Sequence, residues 1–167
     1  MHLLVQFACT LTLLLSMRLT RFSDFGLRVL IYLSRAGERH APVTVAEIAL
    51  QFDIPVNHLV KVVGHLARAG WIQATRGRNG GVRLCVDPSV LQVGTILREL
   101  EGDAELADCE GQGCRLSQDC RLRGALKAGL QAFYDAMNAY TLLDITKGTT
   151  GQQIMRMHRS FVSQSSA

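Results

Sequence analysis

The chain lacks what several broad classes require. It carries no nucleotide-binding glycine motif and no catalytic constellation, so nothing in it supports an enzyme. No internal repeat or low-complexity block occurs between Met17 and Thr146. Its five cysteines are an odd set, which argues against a secreted disulfide framework and for metal or redox use in a reducing cytosol. Residues 1–16, MHLLVQFACTLTLLLS, contain no Lys, Arg, Asp or Glu. They have the apolar look of a signal-peptide core but lack its positive n-region and a small-x-small cleavage site. They are also short of the ~20 apolar residues a helical span needs. Met17 opens the stretch that makes structural sense and is expected to be the native start, with residues 1–16 an extension upstream of it. The competing reading is a membrane tether. The expectation is a cytoplasmic protein without a membrane partner, and Cys9 has no inferred role.

What is present is unevenly charged. The 167 residues are 48% hydrophobic, enough for one domain with a real core or a small domain plus an appendage. From Met17 to Arg83 there are ten Lys/Arg against four Asp/Glu; from Leu84 onward there are eight against ten. A basic first half and an acidic second half point to a polyanion partner for the first half alone.

Local signals place the elements. Phe22, Leu27, Leu30, Ile31 and Leu33 mark a helix over 22–34, with Thr20 or Ser23 as its cap. Thr44-x-x-Glu47 is a capping box, with Val43 and Ile48 placed as a staple, and predicts a short helix to about Phe52. Pro55 fits the first position of the next helix, which runs to Ala69 and stops at Gly70. Two short helices joined by a tight turn form a helix-turn-helix. On a helical wheel Val56, Leu59, Val60, Val62, Val63, Leu66 and Ala67 share a broad apolar face, and Asn57, His58, Lys61, His65 and Arg68 share the other. No acid lies between Pro55 and Gly70. Trp71–Thr75 and the alternating Val82, Leu84 and Val86, joined through the turn signal Asn79-Gly80, predict a two-stranded wing. Val93, Ile96, Leu97 and Leu100 mark another helix closing at Gly102. Leu122, Leu126, Leu130, Phe133, Met137 and Tyr140 then recur at three- and four-residue spacings, predicting one long helix over 122–145. The Ser/Thr/Gln/Gly-rich remainder is expected to fray.

A recognition helix reads base edges with residues near its N-terminus. Asn57 and His58 lie there, and Lys61 one turn later reaches a base or a phosphate. Arg76 and Arg78, with Arg83 nearby, lie at the wing, and Arg18 and Arg21 add charge at the first helix. The candidate DNA-contacting set is Asn57, His58, Lys61, Arg76, Arg78 and Arg18. A winged helix can instead serve protein interaction, with a merely solvated basic face; His65 and His40 carry no specific expectation.

Cys109, Cys114 and Cys120 lie in a short polar segment spaced C-x4-C-x5-C, whose glycines let the backbone fold tightly. Structural zinc usually takes four ligands in paired units, and iron–sulfur clusters are typically held by four thiolates, one of which other residues can replace. A cluster, zinc and a reversible thiol switch all remain open on spacing alone. Seven acids against one Arg between Glu99 and Asp119 would keep this segment away from DNA phosphates. Cys85 falls out of phase in the wing strand and reads as a semi-exposed strand residue.

MRLTRFSDFGLRVLIYL, VNHLVKVVGHLARAGWI, RGRNGGVRL, VGTILRELEG and the C-x4-C-x5-C segment occur in this order. Together they resemble the NsrR-type nitric-oxide-sensing repressors of the Rrf-type winged-helix regulators, over nearly all of Met17–Thr146. The resemblance implies a homodimeric repressor of nitric-oxide detoxification genes carrying an iron–sulfur cluster, [4Fe–4S] before [2Fe–2S]. It implies ligation by Cys109, Cys114 and Cys120. Some members complete the site with an aspartate of the partner protomer's first helix, and Asp24 matches that position; Asp24 also reads as a plain acid near a positive helix end. The cluster-biogenesis regulator IscR differs in having a histidine ligand three residues after the third cysteine, where this chain has Arg123.

The expected fold is mainly α: a winged helix-turn-helix over 17–90, a helix and cysteine loop over 91–121, a dimerisation helix over 122–147 and a flexible tail over 148–167. A twofold dimer would read double-stranded DNA at an inverted-repeat operator. The competing functions are a redox- or thiol-responsive regulator with another signal, a redox protein without DNA binding, and a cluster-free interaction module.

Overall fold

The computed structural model describes residues 18–36, 43–77, 80–102, 106–107, 114–116 and 120–165. Met17, His40, Arg78, Asn79 and Cys109, singled out above, lie outside the described residues, as does the 1–16 extension. Mostly helical with a small two-stranded sheet, it has the winged helix-turn-helix architecture. Among the described residues no helix is long and apolar enough to cross a membrane.

Helix α1 (Arg21–Ala36) is the spine. Thr20 starts it, its Oγ1 accepting the Ser23 N–H at 3.1 Å. Val29, Leu30, Tyr32 and Leu33 are fully buried against α3 and neighbouring elements. Helix α2 (Val45–Phe52) begins as its cap predicts, with Thr44 Oγ1 accepting the Glu47 N–H at 3.1 Å. It ends at Asp53, held left-handed at φ 51°. Helix α3 (Val56–Arg68) follows with Pro55 as its N-cap, one position earlier than expected, and Gly70 at φ 77° closes the turn beyond it. Strands β1 (Ile72–Thr75) and β2 (Gly81–Leu84) pair antiparallel, Ile72 opposite Leu84 and Thr75 opposite Gly81. The Gly80 N–H donates to the Gly77 carbonyl at 2.9 Å between them.

The buried side of α3 is narrower than the wheel suggested. Leu59, Val62, Val63 and Leu66 are buried, whereas Val56 and Val60 are 48% and 56% exposed. A wheel groups residues by angle; which edge of a wide apolar arc meets the core depends on where α1 lies.

Helix α4 (Val93–Glu101) packs on α5 (Arg121–Met137) through Val93, Leu97 and Tyr134, with Leu130, Phe133 and Met137 alongside. The helix expected to run to residue 145 stops at Met137. The Tyr140 carbonyl is taken by the Val93 N–H at 2.9 Å, and the Leu142 N–H donates to Leu91 O at 2.8 Å, so the backbone leaves the helical path to meet the segment before α4. Thr141 then caps a separate short helix, α6 (Leu142–Ile145), in a reciprocal box with Asp144. Hydrogen bonds from Lys147 and Thr141 hold the Asp144 carboxyl below the ordinary carboxylate range.

Gly94 makes the α4–α5 contact possible. A Cβ there would strike the Tyr134 carbonyl and lie 2.5 Å from Asn138 Oδ1, the atom that accepts the Thr95 N–H at 2.9 Å. Gly94→Ala is therefore expected to destabilise the fold by at least ~1–3 kcal/mol through overpacking, read as a lower urea midpoint.

The tail is ordered rather than frayed. Residues expected to form a flexible tail form helix α7 (Thr149–Ser165), packed on α1. Gly151, Ile154 and His158 are buried at helical spacing. The stripe escaped notice because a glycine and a histidine supply two of its three positions.

Candidate nucleic-acid interface and cysteine segment

Asn57, His58 and Lys61 are all exposed on the first turns of α3. Asn57 Oδ1 accepts the His58 N–H at 3.0 Å, and the His58 ring stacks on Phe25 of α1 with centroids 6.3 Å apart. Phe25 thus restricts the swing of His58. The exposed Val56 and Val60 sit beside Asn57 and Lys61, making this face mixed rather than purely polar. The sequence reading missed them by assigning both to the core. Their i, i+4 spacing directly behind Asn57 and Lys61 was the available signal.

At the wing Arg76 is exposed, and Arg78 lies outside the described residues. Arg83 is engaged across the strands, its Nε donating to Gln73 Oε1 at 2.8 Å and its Nη2 to the same oxygen. Arg18 is exposed ahead of α1.

Asp24, in the first turn of α1, accepts from Arg28 Nε at 2.9 Å. Both side chains are more than two-fifths exposed, so this pair is weak and easily exchanged. Within one protomer Asp24 thus pairs with a cation of its own helix.

Cys114 is exposed, and Cys120 is half-buried as the N-cap of α5; both are free thiols, as is the exposed Cys85. Among the described residues no three His, Cys, Asp or Glu side chains gather as a metal site, and Cys109 falls outside them. The donor chemistry nevertheless suits a thiolate-held iron–sulfur cluster. Cys120 stands at the positive end of a 17-residue helix with no acid in its first turn, an electrostatic setting that favours an anionic centre. A cleft of about 270 Å³ beside Leu106 is lined by Arg98, Arg123, Lys127, Leu130 and Tyr134. Arg98 lies 4.5 Å above the Tyr134 ring centroid and donates to Gln131 Oε1 at 2.9 Å. Burial, followed by the charge of Glu101, raises the Tyr134 hydroxyl above the ordinary phenol range, with Arg98 partly opposing.

The last turn of α4, which precedes the cysteine segment in the chain, meets the helices of the reading head. Glu101 Oε1 accepts the Thr20 N–H at 2.9 Å, at the start of α1. Glu99 Oε1 lies 3.0 Å from His65 Nε2 on α3, within ion-pair range but not aligned as a hydrogen bond. Phe22 meets the His65 ring edge-on at 5.4 Å. The residues that lead into the cysteine segment therefore touch both α1 and the helix that carries Asn57.

Residues 19–148 match the Rrf2 family, described as an iron-dependent transcriptional regulator. Among solved structures, CymR of Staphylococcus aureus is similar at 24% identity and a TM-score of 0.60, covering 78% of this chain and 98% of that one. IscR of T. potens is similar at 22% identity and a TM-score of 0.62, covering 79% and 88%. CymR of B. subtilis, described as its global cysteine regulator, is similar at 27% identity and a TM-score of 0.55, covering 78% and 97%. With its winged helix-turn-helix and a family match spanning α1 to α6, the chain belongs to the Rrf2 family of transcriptional regulators, which are DNA-binding proteins and not enzymes.

Proposed function

We propose that this regulator is a homodimeric repressor of nitric-oxide detoxification genes that responds to nitric oxide through an iron–sulfur cluster. Cys109, Cys114 and Cys120 hold the cluster with the partner subunit's Asp24. A three-thiolate set with one oxygen ligand suits [4Fe–4S]; [2Fe–2S] is the second choice. Arg123 occupies the position where the IscR pattern has its histidine. The observation that carries the reading is the last turn of α4, which precedes the cysteine segment in the chain and whose Glu99 and Glu101 lie against His65 of α3 and Thr20 at the start of α1.

When bound, the cluster supplies iron to which nitric oxide can attach. The chain's own part is to tie that event to DNA affinity. Ligation through the segment after Gly102 steadies the α4 end, and that end steadies Thr20 and His65. Loss of ligation loosens both contacts, so DNA-competent and incompetent arrangements come to differ in free energy, as any ligand-driven shift requires. The partner in the dimer meets α5, in which Leu122 is 66% exposed and, among the described residues, Tyr134 alone is buried. A twofold pair presents two α3 helices to successive major grooves of an inverted repeat. Asn57, His58 and Lys61 read or grip there, Val56 and Val60 offer apolar contact to thymine methyls, and Arg76, Arg78 and Arg18 hold the backbone.

Iron and acid-labile sulfide in the anaerobically purified chain test the cluster directly; a colourless chain with neither contradicts it. Glu99→Ala tests the coupling. It is expected to leave iron content and the response of the absorbance to nitric oxide intact while reducing the change in operator affinity about fivefold, within the range of an ordinary coupling energy.

A further inference from the structure

Glu47 is the third residue of α2, placed to return a bond to the Thr44 N–H. Its side chain turns inward instead and is 1% exposed. Glu47 Oε1 accepts from the Tyr32 hydroxyl of α1 at 2.6 Å and lies 2.5 Å from His158 Nδ1 of α7. Tyr32 is fully buried and His158 is 2% exposed. The Tyr32 ring meets those of Phe52 and His158 edge-on at 5.8 Å and 6.4 Å. Burial first, then the bond to Glu47 and its charge, push the Tyr32 hydroxyl well above the ordinary phenol range, so it stays a donor. Three helices thus meet on one carboxylate oxygen in a buried site.

The third helix is the unexpected member. The family match ends at residue 148, and α7 begins at Thr149. Gly151 lets α7 approach closely, since a Cβ there would lie 2.5 Å from Thr146 O and 2.7 Å from Arg35 Nε. Gln51 of α2 adds a second tie, its Nε2 donating to Met157 O at 3.4 Å. Helix α2 has few anchors of its own: eight residues, of which Glu47, Ile48 and Ala49 are buried. It is joined to α3 through the Asp53-Ile54-Pro55 turn and packs directly against it, so its seat bears on the angle of the recognition helix.

We propose that α7 is a brace for the DNA-reading head and that His158 is its positioning residue, fixing α2 through Glu47 at the angle from which α3 enters the groove. A buried carboxylate that loses a donor is costly, and a shift of α2 is the direct way to return Glu47 to water.

The test uses the full chain and a duplex selected by the wild-type protein from random DNA, beside a scrambled duplex at the same salt. His158→Ala is expected to weaken the selected duplex about tenfold, the equivalent of one lost charged hydrogen bond, with the scrambled duplex little changed. Hydrogen exchange at the Ile48 and Ala49 amides should quicken while α4 keeps its protection. His158→Asn, which offers an amide donor where Nδ1 stands, is expected to restore affinity to within about threefold. Tyr32→Phe/Glu47→Leu/His158→Leu removes the whole polar cluster together and leaves no buried donor without an acceptor, so it folds even where His158→Ala does not, and is expected to show the same selective loss. Wild-type affinity in either folded variant that lacks the bond overturns the proposal. So does a His158→Asn protein as impaired as the triple variant.

Discussion

Replacing Cys114 by alanine is expected to abolish both cluster retention and the response to nitric oxide without unfolding the chain. Cys114 is exposed, and substitutions at exposed sites without a structural role typically change stability by no more than ~0.5 kcal/mol. Its whole effect should therefore fall on ligation. Two thiolates and one carboxylate are a poor set for an iron–sulfur cluster, which is built on thiolate donors. Iron and sulfide in the purified variant should fall by at least about tenfold, since loss of even an outer-shell partner of a ligand costs about 10–100-fold in metal affinity. Operator affinity should become indifferent to nitric oxide. Cys85→Ala is the matched control, because Cys85 is also an exposed free thiol but follows β2 in the wing. It should keep its iron and its response.

The second large effect concerns base reading. Asn57→Ala removes a side chain able to bond two edges of one adenine, an interaction worth ~1–3 kcal/mol of discrimination, so operator affinity should fall about ten- to hundredfold. Non-specific binding should hardly change, because Asn57 brings no charge. Lys61→Ala should behave differently if Lys61 holds a phosphate, weakening all duplexes alike and reducing the salt slope by about one. A fluorescence-anisotropy salt series on the operator and a scrambled duplex separates the two patterns.

Much of the reading head was legible because its signals are local. The Thr44 cap, Pro55 and Gly70 each act within one helical turn, and each marks a boundary within a residue or two of that observed. Errors arose where a distant partner decides. Val56 and Val60 share an apolar arc with the core residues, yet the position of α1 leaves them in solvent. The Tyr140 carbonyl is claimed by Val93, almost fifty residues earlier, and that non-local bond divides a stripe that looks continuous. Glu47 reads as half of a capping box because nothing near it in sequence reveals Tyr32 or His158.

The candidate sensing site was legible in its chemistry rather than its geometry. Spacing identifies three soft donors, and the structure adds Cys120 at the head of α5 and a cation-lined cleft nearby. Asp24 shows why the proposed fourth ligand is hard to read from one chain: its bond to Arg28 satisfies it locally, and the proposed role in the partner's site would require exchanging that exposed pair. The contacts of Glu99 and Glu101 were invisible because both read simply as part of an acidic run.

An anaerobic nitric-oxide titration, with absorbance and operator retardation followed on the same samples, tests the central claim most directly. The account predicts that the cluster absorbance and the retarded complex decline together, over the same range of nitric oxide per cluster. A retarded complex that persists after the absorbance is fully bleached, or a preparation with no iron-dependent absorbance to bleach, contradicts it.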